Sequence, residues 1–201
     1  MKKLTSAALL TLMLACGISA LAQSPAATPA APATPKAAST GGKSAHETTS
    51  RKIDGNRVIL VYGRPNSKSP KTGEIRKIWG DLVPFGKIWR TGSDEATLLI
   101  TQQPIVLGGS LEVPAGAFTL FTLPAADGSA KLIVNKQIGQ WGIDPYDEKQ
   151  ELGRVDLEKI TSAERVDQFT MSVDKGPITG GRITMAWENT IYSVPFAVKK
   201  P

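Results

Sequence analysis

The feature that most constrains this chain is alternation in twos. In Val166–Val173, Phe169, Met171 and Val173 alternate with Gln168, Thr170 and Ser172. In Arg182–Trp187, Ile183, Met185 and Trp187 alternate with Arg182 and Thr184, and Tyr192, Val194, Phe196 and Val198 continue the pattern to the end. Successive side chains of a strand point to opposite faces, so each run reads as a strand with one face on a core and one in water. A helix cannot gather these residues on one side, because its apolar stripe needs spacings of three and four.

Turn chemistry falls between the runs. Gly108-Gly109 separates PIVL from SLEV, Pro114-Ala115-Gly116 leads into AFTLFTL, and Asp127-Gly128 leads into KLIVN. Such pairs supply the positive backbone angles of tight hairpins. Pro177 to Gly181 precedes the penultimate strand, and Glu188-Asn189 is expected to turn the chain into the last one. Val58–Tyr62, Lys87–Thr91, Thr97–Thr101 and Leu152–Leu157 are further expected strands. Asp144–Gln150 is expected to form one helical turn, and Leu157–Ala163 a turn or loop. About nine or ten short strands with antiparallel connections predict an all-β domain, an antiparallel β-sandwich or jelly-roll-like barrel.

The alternation does not reach the N-terminus. MKKLTSAALLTLMLACGISALAQ has a charged start at Lys2 and Lys3, an apolar stretch too short to span a bilayer, and small residues at Ala20 and Ala22. It reads as a secretory signal peptide over residues 1–22. Residues 23–49 are rich in Ala, Pro, Ser and Thr and offer nothing bulky to bury, which predicts a flexible tether. Residues 50–201 then form a single domain, long enough for a real core. Cleavage after Ala22 removes Cys16, the one cysteine. A lipid anchor at Cys16 is the weaker reading, because Met13-Leu14-Ala15-Cys16 fits a lipoprotein box poorly. The expected address is periplasmic or extracellular, with no transmembrane helix in the mature chain.

The formal charge is +6, and loss of Lys2 and Lys3 leaves +4. The basic residues are scattered among acids, without the basic-aromatic patterning of a nucleic-acid binder, so no nucleic-acid partner is expected. The expected partner is a small molecule, a glycan, a peptide or an envelope protein.

YGRP at Tyr62–Pro65, VPFGKIWRTGSDEAT at Val83–Thr97, VPAGAFTLFTLP at Val113–Pro124, NKQIGQWG at Asn135–Gly142 and AWENT at Ala186–Thr190 occur in one order. Together they resemble the domain of unknown function 2911 family of exported bacterial proteins, from about His46 to Lys199. The resemblance implies an exported β-rich domain without an established activity. The family usually has Asn where this chain has Asp94, so no acid–base or metal role for Asp94 carries over. The loop Asn66–Ile75 is longer than usual, which bears on access to any neighbouring pocket. The family often carries a His at the position of His46.

Elimination narrows the chemistry. With one histidine, His46, at the expected border of the domain, and no cysteine in the mature chain, neither a Ser-His-Asp nor a Cys-His device has sequence support. Histidine-rich metal sites and phosphate-binding glycine loops are equally unsupported, and no cofactor or metal is expected. Carboxylates remain, Asp94 and Glu95 in one group and Asp144, Asp147 and Glu148 in another. A glycosidase needs two carboxyl groups facing each other across a sugar. A hydrolase would therefore use Glu95 with Asp94 or with Asp147. Calcium would suit the second group, although the EF-hand spacing is absent.

Two readings of Trp89–Glu95 stay open. In the structural one, Lys87–Thr91 is a strand, Trp89 packs in the core, and Arg90 pairs with Glu95 to lock the turn at Gly92. In the functional one, Trp89, Arg90, Glu95, Asn135, Gln140, Trp141 and Tyr146 gather at one end of the sandwich as a ligand site, aromatic faces beside amide and guanidinium groups. No catalytic residue is assigned. The favoured expectation is a non-enzymatic binding or interaction module, with the carboxylate-dependent hydrolase as its alternative.

Overall fold

The computed structural model describes residues 44–199. The expected signal peptide, Cys16 and most of the expected tether lie outside the described residues. The alternating runs form ten strands. They are β1 (Ala45–Ile53), β2 (Asn56–Arg64), β3 (Thr97–Thr101), β4 (Ile105–Leu107), β5 (Leu111–Val113), β6 (Gly116–Pro124), β7 (Ala130–Asn135), β8 (Glu151–Asp156), β9 (Glu158–Lys175) and β10 (Gly181–Val198). A single 3-10 turn spans Glu148–Gln150.

All pairings between strands are antiparallel. They build a six-stranded sheet ordered β1-β2-β3-β6-β7-β8 and a four-stranded sheet ordered β5-β4-β10-β9. The sheets do not close into a barrel, so the fold is the sandwich of the two expected architectures. Inward-facing Val58, Leu60, Leu99, Leu120, Leu132 and Val134 of the larger sheet meet Phe169, Met171, Ile183, Met185, Val194 and Phe196 of the smaller. Burial of this apolar surface drives the two faces together. No helix among the described residues is long and apolar enough to cross a membrane.

Four local expectations need correction. The stretch assigned to the tether ends in strand, because Ala45–Thr49 belong to β1 and pair along β2 from Arg64 to Leu60. Leu157–Ala163 is not a turn. Polar Glu158–Asp167 extend β9, paired with Glu188–Ser193 of β10, and stay in water, so the segment lacks the apolar alternation of a half-buried strand. Glu188-Asn189 is not a turn either. It is a bulge inside one long strand, with Glu188 at φ 54° and register shifts on either side. Before it the buried set is Ile183, Met185, Trp187; after it the set is Tyr192, Val194, Phe196. Across it the inward-facing positions of β10 pass from odd to even, which in sequence looks like a break between two strands. Finally, Lys87–Thr91 is irregular chain, bridged to the sheet between Trp89 and Thr122 and bonded to β3 through Thr97 N–H and the Arg90 carbonyl.

Candidate functional site

The bridge between Trp89 and Thr122 anchors the site. Trp89 N–H donates to the Thr122 carbonyl at 2.8 Å and Thr122 N–H returns a bond to Trp89 at 2.9 Å. The Trp89 indole N–H bonds the Gly92 carbonyl at 3.1 Å, curling the chain back on itself. Trp89 then lies in the core, stacked on Trp187 with ring centroids 5.9 Å apart and planes 20° from parallel. Phe169 and Trp79 meet Trp89 edge-on at 5.1 and 6.0 Å. Such offset and edge-to-face pairs add to simple burial.

The next residues are strained and tightly held. Thr91 has φ 56°, which is unfavourable for a β-branched side chain. Its carbonyl accepts from Thr97 Oγ1 at 2.6 Å, and its hydroxyl lies 2.8 Å from that of Thr122. Asp94 is also left-handed at φ 63°, a conformation that Asp and Asn tolerate better than most residues. Gly63 of β2 allows this segment to lie against the sheet, because a Cβ there would run into the Ser93 carbonyl. Strain maintained by several surrounding bonds is typical of functional segments.

The expected Arg90–Glu95 pair does not form. Arg90 Nη1 donates instead to the Asp94 carbonyl at 3.0 Å, closing its own loop. Glu95 turns to β1, where its Oε2 lies 2.7 Å from His46 Nε2. The same imidazole nitrogen is 3.8 Å from Asp94 Oδ2. Residues distant in sequence compete for the carboxylate, and the edge strand wins.

Gln140–Gly142 rides on Asp94–Ala96 through backbone bonds, Ala96 N–H to Gln140 and Gly142 N–H to Asp94, each 3.0 Å. Trp141 is bridged to Glu95 and remains 57% exposed. The other candidates work inside their own loop. Asn135 donates to the Asp147 carbonyl at 3.0 Å and accepts from Gln137 N–H at 2.8 Å, while Gln140 donates to the Pro145 carbonyl at 2.8 Å. Tyr146 donates to Glu151 at 2.5 Å and packs edge-on against Phe121. Burial and this carboxylate raise the Tyr146 phenol well above its ordinary value. Arg154, bonded to Glu151 at 2.7 Å, lowers that carboxylate against the opposing effect of burial. Asp147 caps the 3-10 turn by accepting from Lys149 N–H, and Glu148 pairs with Arg154 at 2.9 Å.

A cavity of about 620 Å³ opens on the other side of Trp89. Its floor includes Val83, Trp89 and Trp187, and one wall is Arg90 with Gly92, Ser93 and Asp94. Pro65, Asn66, Lys68 to Pro70, Arg76, Leu82 and Asp167 contribute to its remaining lining. Of the seven candidate residues, Trp89 and Arg90 line this space; Glu95, Asn135, Gln140, Trp141 and Tyr146 do not. Sequence reasoning missed Lys68, Arg76 and Ser93. The available signal was the long Asn66–Ile75 loop, which places Lys68 on the cavity and brings Arg76 in behind it.

The polar groups of the lining are unusual. Arg76 Nε, Ser93 Oγ, Asp94 Oδ2 and Trp187 Nε1 are buried and make no hydrogen bond. Buried polar atoms in folded proteins are nearly always paired, and each exception costs about 1–3 kcal/mol. Four such atoms belong to residues that line one cavity, and they leave the folded chain with unmet hydrogen-bonding capacity there.

The family described as "Protein of unknown function (DUF2911)" matches residues 44–196. Comparison with curated proteins and comparison with solved structures each give no match.

Proposed function

Because the chain belongs to the family of proteins of unknown function DUF2911, its role has to be argued from its own site, and we propose that it is an exported cell-envelope module that binds a small molecule without transforming it. The observation that carries this reading is the set of unpaired polar atoms on Arg76, Ser93, Asp94 and Trp187 around one cavity. Its volume suits a drug-sized or monosaccharide-sized ligand, and its Trp floor beside a few polar groups is the usual build of such a site. Export rests on the charged, apolar and small-residue order of residues 1–22.

The hydrolase alternative asks Glu95 to work with Asp94 or Asp147. Glu95 is engaged by His46 and does not line the cavity, and Asp147 is engaged as a cap, so the arrangement favours binding. The test is a ligand screen followed by tryptophan fluorescence and thermal shift, with product analysis of every hit. A binder raises the melting temperature with ligand concentration and returns the ligand unchanged. Turnover of a hit that stops in Glu95→Gln would establish the hydrolase. Export is checked by fractionation and N-terminal sequencing, with Gln23 expected as the first mature residue.

A further inference from the structure

Resting on the binding reading above, we propose that the cavity takes an anionic, hydroxyl-bearing ligand, a sugar acid or hydroxycarboxylate, with Lys68 and Arg76 as its charge-recognising residues. Three cations line the space, Lys68, Arg76 and Arg90. None of them forms an ion pair with a carboxylate among the described residues. Of the other arginines, Arg64 pairs with Glu47 at 2.6 Å, Arg154 with Glu151 at 2.7 Å, Arg165 with Asp167 at 2.9 Å and Arg182 with Glu158 at 2.5 Å. Arg51 and Arg57, on the β1–β2 hairpin, form no ion pair among the described residues and do not line the cavity. Arg90 is partly used by the Asp94 carbonyl, and Arg76 by the Asn66 carbonyl through Nη2. Lys68 and the Arg76 Nε–H are left for a ligand.

Two carboxylates also face the lining, and they divide the work. Asp167 is paired with Arg165, a cation that it shares with Glu188. Asp94 keeps Oδ2 without a hydrogen bond, with His46 3.8 Å away. An unpaired carboxylate oxygen needs a donor, so the ligand must carry a hydroxyl as well as its anion. The unmet N–H groups of Arg76 and Trp187 need acceptors, which a carboxylate and ring oxygens supply. A neutral hydrocarbon satisfies none of these groups. A simple cation would face three positive side chains.

The test is calorimetric titration of the full mature chain with D-glucuronate, D-galacturonate and D-gluconate. Each acid is matched to a neutral counterpart, the methyl esters of the two uronates and D-gluconamide, and neutral mono- and disaccharides are run beside them. Support requires at least one acid to bind about tenfold tighter than its neutral counterpart, as expected for a charge-assisted hydrogen bond. Arg76→Gln and Lys68→Gln should each erase most of that difference while leaving the melting temperature in place. Equal binding of acid and neutral counterpart, or binding of neutral sugars alone, overturns the anionic class and leaves the binding reading standing. Absence of binding by every acid and every neutral sugar overturns the anionic class; the ligand screen described above then decides the binding reading separately.

Discussion

Two polar regions flank the Trp89–Glu95 segment, and they are built on opposite terms. In the Asn135–Arg154 region most polar side chains find partners within the protein: Asn135 with Asp147 and Gln137, Tyr146 with Glu151, Arg154 with Glu148 and Glu151. The amide oxygens of Gln137 and Gln140 are the exceptions. On the cavity lining, by contrast, Arg76, Ser93, Asp94 and Trp187 all hold unmet groups. Buried polar residues that close on one another stabilise a loop. Those that do not are a cost to folding, and functional sites are where proteins tolerate such costs. Amide, aromatic and charged residues look alike in sequence in the two regions; only their partners separate them.

The largest separation should appear in Asn135→Ala. Asn135 is fully buried, and truncation strands the Gln137 amide and takes one of two donors, the other being Gln150 N–H, from the Asp147 carbonyl. A loss of about 3 kcal/mol is expected, seen as a fall of about 8 °C in melting temperature. Affinity of the folded fraction for a cavity ligand should change little. If Asn135→Ala leaves stability intact and removes binding, the two regions have been assigned the wrong way round.

Gly63→Ala should damage both properties, because it strikes the backbone contact beneath the cavity wall. The new methyl group meets the Ser93 carbonyl, a backbone atom that cannot rotate aside. Overpacking of this kind costs about 2 kcal/mol, read from denaturant unfolding, and shifts Ser93 and Asp94 away from the cavity. Affinity should fall at least as far as in Ser93→Ala. Unchanged affinity would show that the position of this wall does not matter.

How far the fold could be read without coordinates follows the same physics. Phe169–Val173 and Ile183–Trp187 were legible because one face of each is buried and the period of two is written in side-chain type. The outer half of β9 was not, since Glu158–Asp167 lie largely in water and nothing forces alternation on them. The bulge at Glu188 was misread for a sharper reason, because it inverts the phase that identifies a strand. Of the cavity lining, Trp89 and Arg90 were legible because the aromatic-basic pair stands out among glycines. Lys68, Arg76 and Ser93 converge through irregular chain, where no periodicity exists to project them onto a common face. The choice of His46 over Arg90 by Glu95 is equally invisible, being a competition between residues far apart in sequence.

A smaller effect, with a defined pH dependence, is expected from Glu151→Gln. Hydrogen bonds from Arg154 lower the Glu151 carboxyl below its ordinary 4.5, with burial opposing. The folded state therefore holds this group ionised where the unfolded chain begins to take up a proton. Its contribution is complete above about pH 4.5 and is lost as pH falls through the lowered folded value. Glu151→Gln should cost about 1 kcal/mol near neutrality and flatten the acid limb of a stability–pH curve. Tyr146 acts at the other end. Its phenol stays protonated in the fold above its ordinary 10, so stability should decline as pH rises past that value, and Tyr146→Phe should blunt the decline.

The smallest change in stability, and the most discriminating, belongs to Ser93→Ala. The Ser93 hydroxyl is buried without a partner, so its removal deletes an unmet group and leaves no new one behind. Stability should stay within about 0.5 kcal/mol of the parent, or rise, in denaturant unfolding without ligand. Saturating ligand should then reverse the order, because the parent gains a hydrogen bond in the complex that Ser93→Ala cannot make. The expected signature is a smaller ligand-induced rise in melting temperature for Ser93→Ala than for the parent, on an equal or higher baseline. A drop in baseline stability as large as that of Asn135→Ala would mean that Ser93 is tied into the fold like the loop across the segment. The distinction between a region closed on itself and a region left open for a ligand would then fail at its most exposed point.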